Sequence, residues 1–292
     1  MSFSVYEFTQ SLVSGILVGG AFALLGVGFS LTWGVTRVIN VAHTAFAVLA
    51  AYLAYWGTKL YGIDPVLSLV FIVPLFFLLG ILFHETLIKP IAHRTRDLGL
   101  ASMVLTFGLG AALENGMAWI WTPDPRVLGT AYVGKALLVG SIALSYGPLI
   151  AFALAVVTLA ALYAFLHRTY TGKAVRAVWQ DREGAALAGV NLGRVTRLTY
   201  GVSMITAGVA GVAMALMYTF DPTANFAWMI YAFLVVIFGG VGSVLGAALA
   251  GLMIGLILGV SGVFIPLTWV NLVLFVFLIV LLLVRPSGLL RR

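Results

Sequence analysis

Nine runs of apolar residues dominate this chain, near 11–33, 41–57, 65–83, 98–121, 148–167, 198–219, 228–242, 245–260 and 269–284. A helix needs roughly 20 such residues to cross a hydrocarbon core about 30 Å thick, and too many of these runs lack the strict alternation of lipid-facing barrel strands. The expected fold is therefore an all-α polytopic membrane protein. Several runs are short for a full span, notably 41–57 and the pair meeting at Gly239–Gly246. The expectation is thus eight or nine transmembrane helices, some short or broken, in a single transmembrane domain over 1–292.

Charge is scarce, 9% of residues against roughly 25% in an ordinary soluble domain. The first basic residue is Arg37, so the start of the chain lacks the charged opening of a secretory signal, and its first apolar run is read as retained. With no cysteine in the chain, disulfides, thiolate metal sites and a cysteine nucleophile are excluded. No GxxxxGK[ST], HExxH or GxSxG occurs, so neither an ATP cradle of that kind nor a catalytic residue nor a metal site is expected. An intramembrane enzyme lacks its nucleophile and base.

The net charge of +7 reads as topology rather than nucleic-acid binding, because Lys and Arg accumulate in cytoplasmic loops. Three clusters hold most of it: Lys89, Arg94 and Arg96; Arg168, Lys173, Arg176, Arg182, Arg194 and Arg197; and Arg285, Arg291 and Arg292. Loops 58–64, 122–147 and 220–227 carry Lys59, Arg126 and Lys135 against Asp64, Asp124 and Asp221. The clusters are expected in the cytoplasm with the C-terminus, and the N-terminus outside if 41–57 crosses.

Small residues mark where helices approach. In GGVGSVLGAALAGLMIGLILG (239–259), Gly251, Gly255 and Gly259 recur every four residues, which brings backbones together. The pattern fits close helix packing. A broken or re-entrant stretch at 239–246 fits as well, since irregular backbone is tolerated where protein buries it.

The segment 168–197 gathers six basic residues in an otherwise greasy chain. Asp181 is a plausible N-cap with Glu183 in the first turn, and EGAALAG ends on Gly189, a natural stop. A helix over about 182–188 is predicted, too short to span. It either lies in a solvated loop facing lipid phosphates or docks its small, alanine-rich face into a groove on another protein.

At these residues the chain resembles a family. GKAVRAVWQDREGAALAGVNLGRV is similar to the cytoplasmic coupling loop of permeases in bacterial ABC importers for branched-chain amino acids. FALLGVGFSLTWGVTRVINVAHTAFAVLAAY (22–52), FGGVGSVLGAALAG (238–251) and VRPSGLL (284–290) agree, in order, along nearly the whole chain. The resemblance implies an inner-membrane subunit working with two ATPase subunits, a second homologous permease and a periplasmic solute-binding protein. ATP and Mg would bind the ATPases, leaving this chain without a cofactor. It implies that Asp181, Arg182, Glu183, Ala185, Ala186 and Gly189 form the coupling helix within the coupling loop 168–197. The implied cargo is a branched-chain or other hydrophobic amino acid; urea, short amides and small carboxylates stay open, as does a secondary transporter.

Ionisable and polar groups inside apolar runs are functional suspects. Glu114 lies past the middle of 98–121 with Asn115 beside it, where the family carries an amide pair. A carboxylate there favours an ammonium group; a protonated carboxyl acts as a donor instead, and a group neutralised or hydrogen-bonded between helices fits equally. Asn40, His43 and Thr44 form the second group, and Asn-x-Ala-His at 40–43 matches the family's run. Helical spacing puts Arg37, Asn40 and Thr44 on one side with His43 about 60° away. Phe46, Tyr52, Tyr55 and Trp56 are read as lipid-facing or belt aromatics, or as cavity lining.

Overall fold

The structure is a computed structural model that describes residues 5–95, 97–285 and 288–289. Arg96, Arg291 and Arg292 of the basic clusters, and Pro286, Ser287 and Leu290 of the VRPSGLL stretch, lie outside the described residues.

The apolar runs become helices. α1 (Val5–Thr36) and α2 (His43–Tyr61) precede α3 (Pro65–Phe83), which passes through one π-helical turn (His84–Ile88) into α4 (Lys89–Ala92) as a single rod. Between α5 (Leu98–Trp121) and α6 (Tyr146–Arg168) stands an antiparallel hairpin of β1 (Ala136–Val139) and β2 (Ile142–Ser145). The basic segment holds α7 (Tyr170–Gln180) and α8 (Arg182–Leu187). The chain continues with α9 (Leu192–Met217), α10 (Ala224–Gly239), α11 (Val244–Phe264) and α12 (Leu267–Val284). Six helical stretches, Tyr6–Thr36, Pro65–Ala92, Leu98–Trp121, Tyr146–Arg168, Leu192–Met217 and Val244–Phe264, are long and apolar enough to cross a membrane alone. The protein is an all-α polytopic membrane protein, with one small hairpin that 122–147 did not announce as strand.

Side-chain oxygens start many of these helices, because the first turn's N–H groups have no partner within the helix. Asp64 accepts from Val66 N at 2.8 Å with Pro65 in the first turn. Asp97 accepts from Leu100 N at 3.0 Å, Asn191 from Arg194 N at 2.9 Å and Ser243 from Gly246 N at 2.9 Å.

α1 and α9 form the centre of the bundle, with most of their apolar stretch buried, while α3, α5 and α6 lie at its rim. The glycine stripe settles against α1. A side chain at Gly255 would collide with Gly15 and Gly19, and one at Gly251 with Ala23. At 239–246 the chain makes a tight turn between the shorter α10 and the span-length α11, with Gly240 and Gly242 at φ 86° and 85°, a conformation that only glycine adopts freely. Ser30 of α1 covers the turn, its Oγ accepting from Gly242 N at 2.9 Å.

The bundle has two chemically distinct ends. One gathers the C-terminal ends of α1, α4 and α6, the starts of α5 and α9, α7, α8 and the α10–α11 turn, and there Leu289 N donates to Phe238 O at 2.8 Å. This is the basic end. At the opposite end Gln10 of α1 pairs with Ala143 of the hairpin, and Arg126 forms a backbone bridge with Phe220.

Candidate functional site

The first candidate site begins where a helix fails to form. After Thr36 the chain turns at Arg37 (φ 56°) and runs without helix to Ala42. An unwound backbone inside a membrane bundle must find other partners, and α5 supplies them. Ser102 Oγ accepts from Ile39 N at 3.3 Å, while Thr106 Oγ1 accepts from Val41 N at 3.0 Å and donates to Ile39 O at 3.1 Å. The helical spacing expected across Arg37, Asn40 and Thr44 therefore does not hold: Arg37 is exposed, and Asn40 is buried on a non-helical segment.

α2 consequently starts deep in the bundle. His43, its first residue, packs against Gly28 of α1, eight residues or about 12 Å before that helix ends. His43 and Asn40 are 2% and 1% exposed; the His43 imidazole faces the backbone of Leu25, and neither its ring nitrogens nor the polar atoms of the Asn40 side chain make a hydrogen bond of good geometry. Ser203 and Thr206 of α9 close the neighbourhood, Ser203 Oγ donating to Gly28 O at 2.8 Å. One residue on, Thr44 Oγ1 donates to Asn225 Oδ1 at 2.7 Å, and Asn225 Nδ2 donates to Glu114 Oε2 at 3.4 Å.

A polar chain thus runs Thr44–Asn225–Glu114 across three helices. Glu114 is half-buried, seven residues from the end of α5 at Trp121. The pocket beside it, between Val41, Gly110 and Phe226, measures ≈ 20 Å³, room for about one water and no solute. Asn115 stands apart: it is exposed and bonds back to Ala111 O at 2.8 Å. Phe107 and Phe226, edge to face at 6.4 Å, are exposed on the same side as Glu114's pocket.

Of the aromatics read as lipid-facing, Phe46 and Tyr52 are core residues. Tyr52 is fully buried, stacked on Trp121 at 4.8 Å and edge-on to Phe220 at 5.2 Å. Tyr55 and Trp56 are half-buried beneath Lys59, and Arg126 also lies over Tyr55. Tyr52 is covered by α5 and the 218–223 loop, and Phe46 lies edge-on to Phe83 of α3 at 6.0 Å.

The second candidate site is α8. Asp181 Oδ1 accepts from Glu183 N at 3.1 Å and Gly184 N at 3.0 Å. Gly189 closes the helix at φ 84°, with Val190 N bonded to Ala185 O at 3.0 Å, the return expected of a left-handed stop. Arg182, Glu183, Ala186 and Gly189 are exposed together with Asp181. Ala185 is not on that face; at 6% exposure it packs inward. In its place Leu187, which sequence reasoning passed over, is 91% exposed at the tip. An exposed leucine on a capped helix carries apolar area that a partner's groove would remove from water.

Other participants were also missed. Asn225 is a lone polar residue at the start of an apolar run, the only signal it gives. α7 is betrayed by Gly172, Val175 and Val178, its buried side, and by Thr169, whose Oγ1 accepts from Gly172 N at 2.9 Å. Among the described residues no three His, Asp or Glu side chains converge as a metal site.

Comparison with known proteins adds an independent finding. The family model described as "Branched-chain amino acid transport system / permease component" matches residues 11–283. The chain is 26% identical over 298 residues to the high-affinity branched-chain amino acid transport system permease protein BraD of Pseudomonas aeruginosa, covering 99% of this chain and 97% of that one. It is 26% identical over 306 residues to the corresponding LivH of Escherichia coli, covering 100% and 98%. It is also 27% identical over 263 residues to the fructose import permease protein FrcC of Rhizobium meliloti, covering 87% and 70%. No solved structure matches the chain.

Proposed function

The chain belongs to the branched-chain amino acid transport permease family, and from that premise we propose that it carries a hydrophobic amino acid inward as one permease of an ATP-driven importer. As a transport permease it changes no bond in its cargo. The basic end, with Lys89, Arg168, Lys173, Arg194 and Arg197, faces the cytoplasm, and so does the C-terminus. The protein sits in the cytoplasmic membrane, receives its solute from a soluble binding protein on the other side, and pairs with a second homologous permease. ATP and Mg are held by two ATPase subunits.

One observation carries this reading: a capped helix, α8, stands on the basic end with Leu187 bare at its tip, in a chain whose family match runs nearly end to end. The ATPase grips that helix through Leu187, Ala186 and the charged pair Arg182 and Glu183. Closure of the ATPases pushes α8, and α7 and α9, which pack against it, carry the movement into the bundle. Differential affinity for the two closure states then shifts the access of the pathway. Since the chain encloses no solute-sized pocket at Glu114, the pathway lies on its open α5–α10 face, where Glu114, Phe107 and Phe226 meet the second permease. The Glu114 carboxylate favours the ammonium of an amino acid, and the two phenylalanines favour an apolar side chain.

The test is reconstitution of the chain with its ATPases, second permease and binding protein in vesicles. Leu187→Ser and Glu183→Lys are expected to insert and assemble while ATP-dependent leucine uptake falls by an order of magnitude or more, with ATP hydrolysis retained. Normal coupled uptake by both variants would remove α8 from the coupling role. The likeness to a fructose permease supports a second reading, a sugar cargo, and labelled fructose belongs in the same uptake screen.

A further inference from the structure

On the basic end, α8 and the ends of four longer helical segments enclose a cavity of ≈ 520 Å³. Thr36 at the end of α1, Ala92 at the end of α4, Leu98 at the start of α5 and Asn191 at the start of α9 all line it. These are the places where four membrane-embedded helices begin or end, so the cavity sits at the depth of lipid headgroups. Its charge is lopsided. Lys89, Arg182, Arg194 and Arg197 line it against a single carboxylate, Glu85.

That carboxylate is already shared. Lys89 Nζ lies 2.7 Å from Glu85 Oε2, and Arg197 Nη1 lies 3.9 Å from Oε1. Among the described residues, Arg182 and Arg194 have no carboxylate partner. His84, 5% exposed, also lines the cavity; its Nδ1 stands 3.4 Å from Glu85 Oε1 without a hydrogen bond of good geometry. The first turn of α9 adds Gly193 and Arg194 to the wall, with the positive end of that helix's dipole beside them.

We propose that this cavity binds the phosphate of an anionic phospholipid from the cytoplasmic leaflet, and that the bound headgroup ties α8 to α4 and α9. Uncompensated arginines at an interface fit a phosphate, whose oxygens match the guanidinium fork in pairs. Basic pockets between spans on the cytoplasmic side are a recurrent site for such headgroups. A lipid suits the place better than a soluble phosphate. Ile88, Leu98 and Val38 supply apolar wall, and the two spans that meet there expose Leu82 and Leu100, surface on which acyl chains lie. Arg182 is the first residue of α8, so the headgroup touches the element that the ATPases are proposed to move. The binding step itself does not depend on the nature of the cargo or on the ATPases.

The test uses the full-length chain in neutral detergent, stripped of lipid. It is titrated with phosphatidylglycerol, with phosphatidylcholine of the same acyl chains, and with millimolar inorganic phosphate, and bound lipid is read by native mass spectrometry and thermal shift. Phosphatidylglycerol is expected to bind and stabilise while phosphatidylcholine does not. With roughly fivefold in affinity per interfacial basic residue, Arg194→Gln with Arg197→Gln weakens that binding about 25-fold. Arg168→Gln with Lys173→Gln, which removes the same charge away from the cavity, leaves it within about twofold. Equal binding of phosphatidylcholine, or equal losses in the two double variants, would overturn the site. A shift given by inorganic phosphate with phosphatidylglycerol inert would overturn the lipid as its occupant. The comparison of the two lipids on the unaltered chain needs no variant to fold.

Discussion

Asn225 joins three helices through two hydrogen bonds, accepting from Thr44 and donating to Glu114. Thr44→Val removes the donor and leaves a buried amide oxygen unpaired, a loss of about 1–3 kcal/mol. Thermal unfolding of the purified chain should register it, and Thr44→Ser should restore it; an unchanged midpoint for the valine variant would show that the bond carries no weight. Glu114→Gln keeps the shape and an acceptor for Asn225 but removes the charge. It is expected to change the ratio of leucine to uncharged-solute uptake several-fold with little effect on the amount of protein in the membrane, and unchanged selectivity would reduce Glu114 to packing. Glu114 was legible because a carboxyl group within an apolar run is costly. Ser102 and Thr106 were not, since hydroxyls in membrane helices usually bond their own backbone, and only the unwound 37–42 segment gives these two another task.

At the scale of elements, local chemistry wrote many of the helix starts. Asp64–Pro65, Asp97, Asp181, Asn191 and Ser243 each start a helix by the same capping bond, and α8 is predicted over 182–188 and found over 182–187. Asp181→Ala is expected to cost about 1 kcal/mol of helix stability and to speed exchange of the Glu183 and Gly184 amide hydrogens; unchanged exchange would mean that packing alone holds α8. Where the reading by apolar runs fell short, a different force was at work. The start of α9 lies six residues before its apolar run because Asn191 caps a polar first turn. The hairpin arises from LLVGSIAL, where Gly140 at φ 62° permits a two-residue reversal, and its apolar runs are too short to span, so that stretch reads as loop between spans.

The molecule as a whole has a sidedness that can be measured directly, because the chain has no native cysteine. Leu187→Cys is expected to react with a membrane-impermeant maleimide only from the cytoplasmic side, and Ser141→Cys in the hairpin turn only from the outside. Labelling of both from one side would break the arrangement, and exchanged labelling would invert it. The sequence by itself determined the membrane environment, the basic end and the glycine-lined helix approach, because hydropathy, charge and residue size act wherever the chain goes. Only the tertiary structure decided that α2 starts about 12 Å inside the end of α1, that Ala185 turns inward while Leu187 stands bare, and that Asn225 meets Glu114. Those outcomes depend on which helix lies opposite, and a backbone or polar group buried without water takes whatever partner that neighbour presents.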